Sequence, residues 1–343
     1  MRFDWLLILP IFLLLVFSFF ILNSIMPSIF PSYYWYFVLG IIAFLIFSLF
    51  DFEILSVFSR YFYIISIILL LITLVIGQVT RGTVRWIPIG SLSIQTSEIV
   101  RPFLLIFFAN YITEKKLTMK RLFQILVLMA IPLFLILVQP SLGVTALTAV
   151  GFLGLFLASE IEKKYFLYIG LITLILVPLV FVFLAPYQKT RITAFLDPTS
   201  DPLGVGYNAI QSTISVGSGK LLGRGLGRGV GTQLAFLPER HTDFVFASIA
   251  EELGFVGAIV LLLITFFLFI RIIGYTERAI NIPARLFLGG LFLTFFAQTA
   301  IHVGMNMGLL PITGVPYPLV SAGGSSLLAT MTSLGIVMGT KKL

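Results

Sequence analysis

The sequence has no cysteine and little charge: Asp, Glu, Lys and Arg together make up 10% of its 343 residues, and only two residues are histidines. The lack of cysteine excludes disulfides, thiolate metal sites and cysteine nucleophiles. Most of what is present is apolar, with 59% hydrophobic residues, 15% aromatic residues and a mean hydropathy of +1.10. These values lie far outside the range of soluble domains and indicate a protein that crosses a membrane several times.

Ten apolar runs have about the 20 residues needed to cross a bilayer. The run at 99–112 is short, and it reaches this length only if residues 96–98 form its first turn. The predicted spans are 5–22, 33–50, 61–79, 99–112, 122–138, 143–159, 165–185, 244–272, 286–304 and 322–339. The sequence therefore predicts an all-α polytopic membrane protein with about ten transmembrane helices, forming a single membrane domain over residues 1–343.

The distribution of basic residues predicts the orientation of these helices. The short segments 23–32, 139–142 and 305–321 contain no Lys or Arg, whereas segments on the other side carry pairs such as Lys115 and Lys116. Cytoplasmic loops are the ones enriched in Lys and Arg. We therefore predict two cytoplasmic termini and a long extracytoplasmic loop, 186–243, between helices 7 and 8. The net charge of +8 arises largely from basic residues in the loops between the spans. We therefore predict that the protein contacts membrane lipids and has no nucleic-acid partner.

The segment 238–254 places charged residues at the beginning of the eighth span. Asp243 lies just before this span, where it could either cap the helix, a favoured role for Asp, or belong to a polar site. Glu251 and Glu252 lie two turns further along, too deep for capping. Because charged groups in a membrane span need a partner or water, we expect these two glutamates to face a wet cavity or to pair with a base.

A second polar patch contains Arg85, Trp86, Glu98 and Arg101. Glu98 and Arg101 are neighbours at i and i+3 on a helix. One interpretation is an ordinary surface ion pair with an interfacial tryptophan. The other is a pyrophosphate site, since guanidinium groups bind such anions through paired hydrogen bonds.

Two further segments are rich in residues that disfavour regular secondary structure. The glycine-rich stretch 217–231 does not have the spacing of a phosphate-binding loop, but a flexible basic loop over an anionic lipid substrate remains open. Pro and Gly in 305–326 forbid a regular helix there. We expect His302, just before this segment, to be a hydrogen-bonded interhelical group and not a metal ligand.

Several motifs occur along the chain in a characteristic order. They are Arg85-Trp86-Ile87, Gln95-x-Ser97-Glu98, Gln139-Pro140-x-Leu142-Gly143, the run 238–254 containing His241-Thr242-Asp243-Phe244, and 308–326, which ends in Ser325-Ser326. This order resembles the SEDS (shape, elongation, division and sporulation) membrane proteins over essentially the whole chain, and the elongation type more than the division type. Thr96, Arg101, Ser141 and Ala322 depart from the residues usual in that family.

The resemblance implies a peptidoglycan glycosyltransferase at the outer face of the bacterial cytoplasmic membrane. Such an enzyme polymerises lipid II, releases undecaprenyl pyrophosphate and works with a class B penicillin-binding protein transpeptidase. It implies Asp243 as the catalytic base. The implied substrate-binding residues are Arg85, Trp86, Glu98, Arg101, His241, Thr242, Ser325 and Ser326. A divalent cation, Mg²⁺ or Mn²⁺, held by Glu98 and Asp243 is a further expectation. The alternatives are a lipid II flippase or other transporter, and a non-catalytic scaffold that recruits a transpeptidase.

Overall fold

The computed structural model describes residues 4–80, 83–90, 92–197, 204 and 206–340, which are mostly helical. The helices are α1 (Trp5–Ile25), α2 (Ser32–Leu49), α3 (Phe52–Val57), α4 (Ser59–Ile76), α5 (Thr96–Ile99), α6 (Arg101–Thr113), α7 (Met119–Val138), α8 (Leu142–Leu157), α9 (Lys163–Phe183), α10 (Pro186–Leu196), α11 (Tyr207–Ser218), α12 (Val230–Gln233), α13 (Val245–Arg278), α14 (Ile282–Asn306) and α15 (Gly324–Gly339). The strands are β1 (Gln78–Thr80), β2 (Thr83–Ile89) and β3 (Leu92–Ile94).

A helix lies at each of the ten predicted spans. Within the described residues, six helices are long and apolar enough to cross a membrane, namely α1, α2, α4, α7, α13 and α14, while α8 and α15 are shorter apolar helices. The short span at 99–112 gains its extra turn from α5, with only Val100 between α5 and α6. The predicted all-α polytopic membrane architecture is confirmed.

The helices pack through glycines where their backbones come closest. α8 packs extensively on α14, and a Cβ at Gly154 would lie 2.8 Å from both the Gly289 carbonyl oxygen and the Gly290 Cα. α15 packs most extensively on α2, where a Cβ at Gly335 would lie 2.6 Å from the Phe44 carbonyl oxygen. Lipid tails give no hydrophobic drive for helix association, so close backbone approach through small residues stabilises these pairs.

The long helix α13 is divided at Gly254. Its 34 residues would extend for about 51 Å, which exceeds the hydrocarbon core of about 30 Å. Gly254 has φ 67° and ψ −164°, which no helix contains. The predicted span at 244–272 therefore combines two helical pieces, 245–253 and 255–278, and only the second has the position and length of a membrane span.

The segment 217–231, called the glycine-rich loop below, fills this break. Its main chain supplies partners for groups that lost their helical hydrogen bonds. The four bonds are Arg224 N to Glu251 O (3.0 Å), Gly225 N to Glu252 O (2.9 Å), Phe255 N to Lys220 O (2.9 Å) and Val256 N to Leu221 O (3.1 Å). Because unpaired backbone groups are costly near a membrane, the loop and the broken helix stabilise each other. The segment that the sequence left open as a flexible basic loop is therefore anchored to α13 by these hydrogen bonds.

Replacing Gly254 with alanine should destabilise the protein strongly. The positive φ disfavours any L side chain, and the new Cβ would meet the Gly223 nitrogen and the Leu221 oxygen of the docked loop. We expect a cost of roughly 3 kcal/mol or more, since backbone strain and lost loop hydrogen bonds add together. Thermal unfolding of the purified protein in detergent measures this effect.

Gly274 provides a matched control in the same helix, since a Cβ built there meets no atom within 4 Å apart from its chain neighbours and the helix's own backbone. Gly274→Ala should leave the melting temperature unchanged or raise it slightly, because alanine favours helix. Equal melting temperatures for the two variants would contradict the account of the break.

A small antiparallel sheet follows α4, in the order β1-β2-β3, and the sequence reasoning missed it. Its register pairs Gln78 with Trp86 and Ile87 with Ile94. The Tyr36 hydroxyl of α2 holds β3, with its oxygen 2.8 Å from both the nitrogen and the carbonyl oxygen of Ser93. This sheet positions the side chains of Arg85 and Trp86.

The described part of the 186–243 loop is largely helical. It contains α10, α11 and α12. α11 packs on α13 and α14, and Ser212 donates a hydrogen bond to the Asn306 carbonyl at 2.9 Å. The loop is therefore a structured layer on one end of the helix bundle.

Candidate active site at the start of α13

Three consecutive carbonyl groups fix the main chain just before α13. The His241 carbonyl accepts a hydrogen bond from the Ala322 N–H at 2.8 Å. The Thr242 carbonyl accepts one from the Ser321 hydroxyl at 2.7 Å, and the Asp243 carbonyl accepts one from the Asn306 amide at 3.0 Å. These donors belong to the end of α14 and the segment before α15. The direction of the Asp243 side chain is thus set by two other parts of the fold.

Asn306 also caps α13 from outside the helix. The N-cap residue is Phe244, which has no capping side chain, and the Asn306 Oδ1 accepts the hydrogen bond of the Ala247 N–H at 3.0 Å. A side-chain oxygen on a third-residue N–H is the interaction that an N-cap Asp or Asn normally provides. Asp243 lies one position before the N-cap, which argues against the capping role. The sequence reasoning missed Asn306, although its position at the end of an apolar helix was a signal.

The Asp243 carboxylate lies beside Gly314 and Arg191. A Cβ built on Gly314 would be 3.4 Å from Asp243 Oδ2 and 3.8 Å from Arg191 Nη1. Arg191 is an exposed residue of α10 that donates a hydrogen bond to the Ile312 carbonyl at 3.4 Å. The sequence reasoning missed Arg191, because nothing along the chain links α10 to residues more than a hundred positions later.

Of the predicted irregular segment 305–326, residues 307–323 are irregular, whereas α14 extends through Asn306 and α15 begins at Gly324. Polar side chains of α14 hold the irregular part in place. The His302 Nδ1 lies 2.7 Å from the Val315 carbonyl oxygen, and the Gln298 amide donates to the Pro316 carbonyl at 2.9 Å. His302 is therefore a buried hydrogen-bonding residue, as expected. Gly314 has φ +69°, a left-handed conformation that favours glycine.

His241 and Thr242 are partly exposed next to Asp243. The Thr242 hydroxyl donates to the Glu239 carboxylate at 3.0 Å, and the Thr242 N–H donates to the Glu239 carbonyl at 3.0 Å. This tight turn brings the acid of Glu239 into the same group of side chains. His241, Thr242 and Asp243 together form a polar surface at the beginning of α13.

Glu98 and Arg101 form a buried ion pair, with exposed side-chain fractions of 2% and 6%. The interpretation as an ordinary surface pair was therefore wrong. A small cavity between α6, α14 and α15 is lined by Arg101, Thr294, Thr330 and Ser333. The Nη1 of Arg101 is buried and has no hydrogen-bond partner among the described residues. Asp243 is not among the residues that line this cavity.

Ser325 and Ser326 are buried at the start of α15. The Ser325 hydroxyl accepts a hydrogen bond from the Gln95 N–H at 2.8 Å, and the Ser326 hydroxyl lies 3.4 Å from the Gln298 amide. Both serines thus join α15 to neighbouring elements. Arg85 and Trp86, by contrast, are partly exposed on β2.

Glu251 and Glu252 are buried, and neither forms an ion pair with a base among the residues that the structure describes. The Glu251 carboxylate accepts hydrogen bonds from the N–H groups of Gly231 and Thr232 at 2.8 and 3.0 Å. The Glu252 carboxylate accepts from the Ser24 hydroxyl at 2.6 Å and from the Gln233 amide at 3.0 Å. The expectation for these two residues was wrong because their partners come from the glycine-rich loop, α12 and α1.

The described residues show no cluster of acidic or histidine ligands around Glu98 and Asp243 for the expected divalent cation. Glu98 is paired with Arg101, and the described residues contain no cluster of three or more His, Cys, Asp or Glu that could hold a metal. A hard cation needs several oxygen ligands converging on one point. The cation stays a prediction.

Comparison with known proteins decides the family. Residues 2–342 match the model of the FtsW, RodA and SpoVE cell cycle proteins. The chain belongs to this family. It is 40% identical over 283 residues to the peptidoglycan glycosyltransferase MrdB of Escherichia coli (strain K12), covering 82% of this chain and 76% of that one. It is 36% identical over 284 residues to the probable peptidoglycan glycosyltransferase FtsW of Buchnera aphidicola subsp. Baizongia pistaciae, covering 80% and 73%. The prediction of a SEDS-family glycosyltransferase is confirmed.

Solved structures of the family share the fold over nearly the whole chain. A chain in a peptidoglycan synthase complex, described as coordinating polymerization and crosslinking, matches with a TM-score of 0.84 and 29% identity, covering 98% of this chain and 97% of that chain. The rod shape determining protein RodA of Thermus thermophilus matches with a TM-score of 0.74 and 25% identity, covering 99% and 96%. These likenesses agree with the polytopic membrane fold described above.

Proposed function

We propose that this protein polymerises lipid II into glycan strands at the outer face of the bacterial cytoplasmic membrane during cell-wall elongation. Asp243 is the general base and undecaprenyl pyrophosphate is the leaving group. The observation that carries this proposal is the fixed main chain at 241–243, which holds the Asp243 carboxylate beside Gly314 and Arg191. The glycosyltransferase names of MrdB and FtsW support the reaction class.

The reaction is an inverting displacement at a sugar carbon. The 4-hydroxyl of a lipid-linked GlcNAc attacks the anomeric carbon of another sugar, and its proton passes to the Asp243 carboxylate. The bond from the anomeric carbon to the pyrophosphate oxygen breaks, and undecaprenyl pyrophosphate leaves with the electron pair. A positioned carboxylate contributes typically 10²–10⁴-fold to such a proton transfer.

Cations stabilise the charge that develops on the leaving pyrophosphate. Arg85 and Arg101 are the candidates from the sequence, and the proximity of Arg191 to Asp243 supports adding it to them. Arg85 and Arg191 are accessible to the substrate. Arg101 is buried beside Glu98, so its charge acts on the pyrophosphate from a distance and not through direct contact.

The other candidate residues divide by their accessibility. Trp86, His241 and Thr242 are partly exposed and available to bind the sugars of the substrate. Glu98, Ser325 and Ser326 are buried, which favours a role in positioning the exposed substrate-binding residues.

Polymerisation of purified lipid II by the purified protein, with and without a transpeptidase partner, tests the proposal. We expect glycan strands and released undecaprenyl pyrophosphate. Movement of lipid II across vesicles without polymerisation would instead identify a transporter. Lack of both activities, with transpeptidase binding retained, would identify a scaffold.

We propose a class B penicillin-binding protein transpeptidase as the partner. The similarity to a chain of a complex that coordinates polymerization and crosslinking supports this assignment. A crosslinking enzyme bound beside the site would receive the glycan strand as it forms.

The proposed orientation predicts the labelling of single cysteines, which have no background because the chain has no native cysteine. Thr190 is exposed on α10 in the proposed extracytoplasmic loop, and Lys116 is exposed in a proposed cytoplasmic loop. A membrane-impermeant thiol reagent should label Thr190→Cys in intact cells with a permeable outer membrane, and Lys116→Cys only after lysis. The reverse pattern would separate Asp243 from its substrate and exclude the proposal.

A further inference from the structure

The glycine-rich loop lies one hydrocarbon thickness from the opposite end of the bundle. That opposite end is marked by Arg271, which forms an ion pair with Asp4 at 2.9 Å. Gly254, where the loop docks, is 17 residues before Arg271 along α13, or about 26 Å at 1.5 Å per residue. This distance is close to the hydrocarbon thickness of about 30 Å.

Helix α1 gives an independent measure of the same height. It begins directly after Asp4 and has 21 residues, or about 32 Å. Near its end, Ser24 donates to the Glu252 carboxylate at 2.6 Å, and the Ser24 carbonyl accepts from the Gln233 amide at 3.1 Å. Both helices therefore place the loop at the boundary between the hydrocarbon core and the lipid headgroups.

The side chains of the docked loop alternate between basic and apolar. Leu221, Leu222 and Leu226 are exposed by 68%, 79% and 52%. Lys220, Arg224 and Arg228 are also exposed, and none of their side chains forms a hydrogen bond or ion pair within the part of the chain that the structure describes. The acids nearest to the loop, Glu251 and Glu252, are already occupied by other donors.

These cations cannot easily move away, because the loop backbone is hydrogen-bonded into the break of α13. Leucines that enter the acyl region and cations at headgroup level are the combination by which interfacial segments bind anionic bilayers.

We propose that the glycine-rich loop is a binding site for anionic phospholipids of the surrounding bilayer. Leu221, Leu222 and Leu226 insert between acyl chains, while Lys220, Arg224 and Arg228 bind headgroup phosphates. The occupant is bulk phospholipid and not the lipid-linked substrate, because the three cations are spread along an exposed, leucine-bearing surface and do not converge on one pocket.

A fluorophore at a single cysteine, Leu222→Cys, tests this proposal. The labelled protein is reconstituted in phosphatidylcholine vesicles that contain, at equal mole fraction, brominated phosphatidylglycerol or brominated phosphatidylcholine with the same chains. We expect both lipids to quench the probe, and the apparent association constant for phosphatidylglycerol to be at least fivefold higher. One fully bound cation contributes roughly a fivefold factor at low salt, so fivefold is the lower bound for three cations.

Neutralisation of the three cations in the labelled protein, K220Q/R224Q/R228Q, should bring the ratio of the two association constants close to one. Each single Gln variant should lower the ratio in part, which keeps the test valid if the triple variant fails to fold. K115Q/K116Q removes two exposed cations at another site and should leave the ratio unchanged.

Three results would overturn the proposal. The first is a failure of the charge dependence, seen either as a ratio near one in the protein with its native cations or as a high ratio that survives K220Q/R224Q/R228Q. A second is quenching by aqueous iodide but by neither brominated lipid, which would place the loop in water. The third is displacement of phosphatidylglycerol by equimolar undecaprenyl pyrophosphate, which would assign the cations to the substrate.

Discussion

Replacement of Asp243 with asparagine should lower the rate of glycan polymerisation by about 10²-fold or more while the protein stays folded. Asparagine has nearly the same shape but cannot accept the proton of the attacking hydroxyl. Loss of folding is not expected, because Asn306 provides the cap of α13 and the main chain at 241–243 is held through its carbonyl groups. Turnover of lipid II by purified variants at equal concentration measures the effect.

Asp51→Asn is the matched control for this substitution. Asp51 is an exposed residue before α3 whose side chain makes no capping hydrogen bond. It should polymerise lipid II at the native rate. Normal glycan synthesis by well-folded Asp243→Asn protein would remove Asp243 from the role of base and leave it as a surface residue of the bundle.

Arg101→Ala should nearly abolish polymerisation, whereas Arg101→Lys should retain much of it. Alanine leaves the Glu98 carboxylate buried without a cation, and breaking a buried pair in this way costs about 3–5 kcal/mol. Lysine keeps the charge and loses only the paired geometry of the guanidinium. Lipid II turnover and melting temperature should be measured together, because alanine affects both.

The double variant Glu98→Gln/Arg101→Met separates folding from catalysis. It removes both charges, so it should recover much of the stability that Arg101→Ala loses. If Arg101 also stabilises the leaving pyrophosphate, the double variant should be folded but inactive. Full activity in the double variant would reduce Arg101 to a structural partner of Glu98.

Arg60→Ala is the control for an exposed ion pair. It removes the pair with Glu114, in which the Arg60 side chain is 72% exposed, and it should change neither lipid II turnover nor the melting temperature.

The predicted helices were correct because the membrane constrains them through local sequence. A span needs a continuous apolar run of sufficient length, so its position can be recognised without any knowledge of its neighbours. An irregular segment at 305–326 was predicted for a similar reason, since Pro311, Pro316 and Gly314 exclude a helix locally, and the structure confines it to 307–323. The motif around Asp243 identified the family without a structure, and the family model over residues 2–342 confirms it.

Errors arose where a residue depends on partners far along the chain. Their sequence position predicted that Glu251 and Glu252 face water or pair with a base. Instead, N–H and amide groups about twenty residues earlier in the chain donate hydrogen bonds to them. The small sheet at 78–94 was missed because its strands are short and follow directly on an apolar helix. Glu98 and Arg101 show the spacing of an ordinary helical pair, and only the packing of α14 and α15 encloses them.

By itself, the sequence determined that the chain crosses a membrane through about ten helices, and its motifs indicated the SEDS family with Asp243 at the beginning of the eighth span. The tertiary structure alone decided what surrounds that residue. Arg191 reaches Ile312 across 121 positions, and Asn306 caps α13 across 59 positions. Span formation depends on the free energy of transferring a local segment into lipid. The geometry of the site depends instead on hydrogen bonds between distant segments, which exist only after the helices have packed.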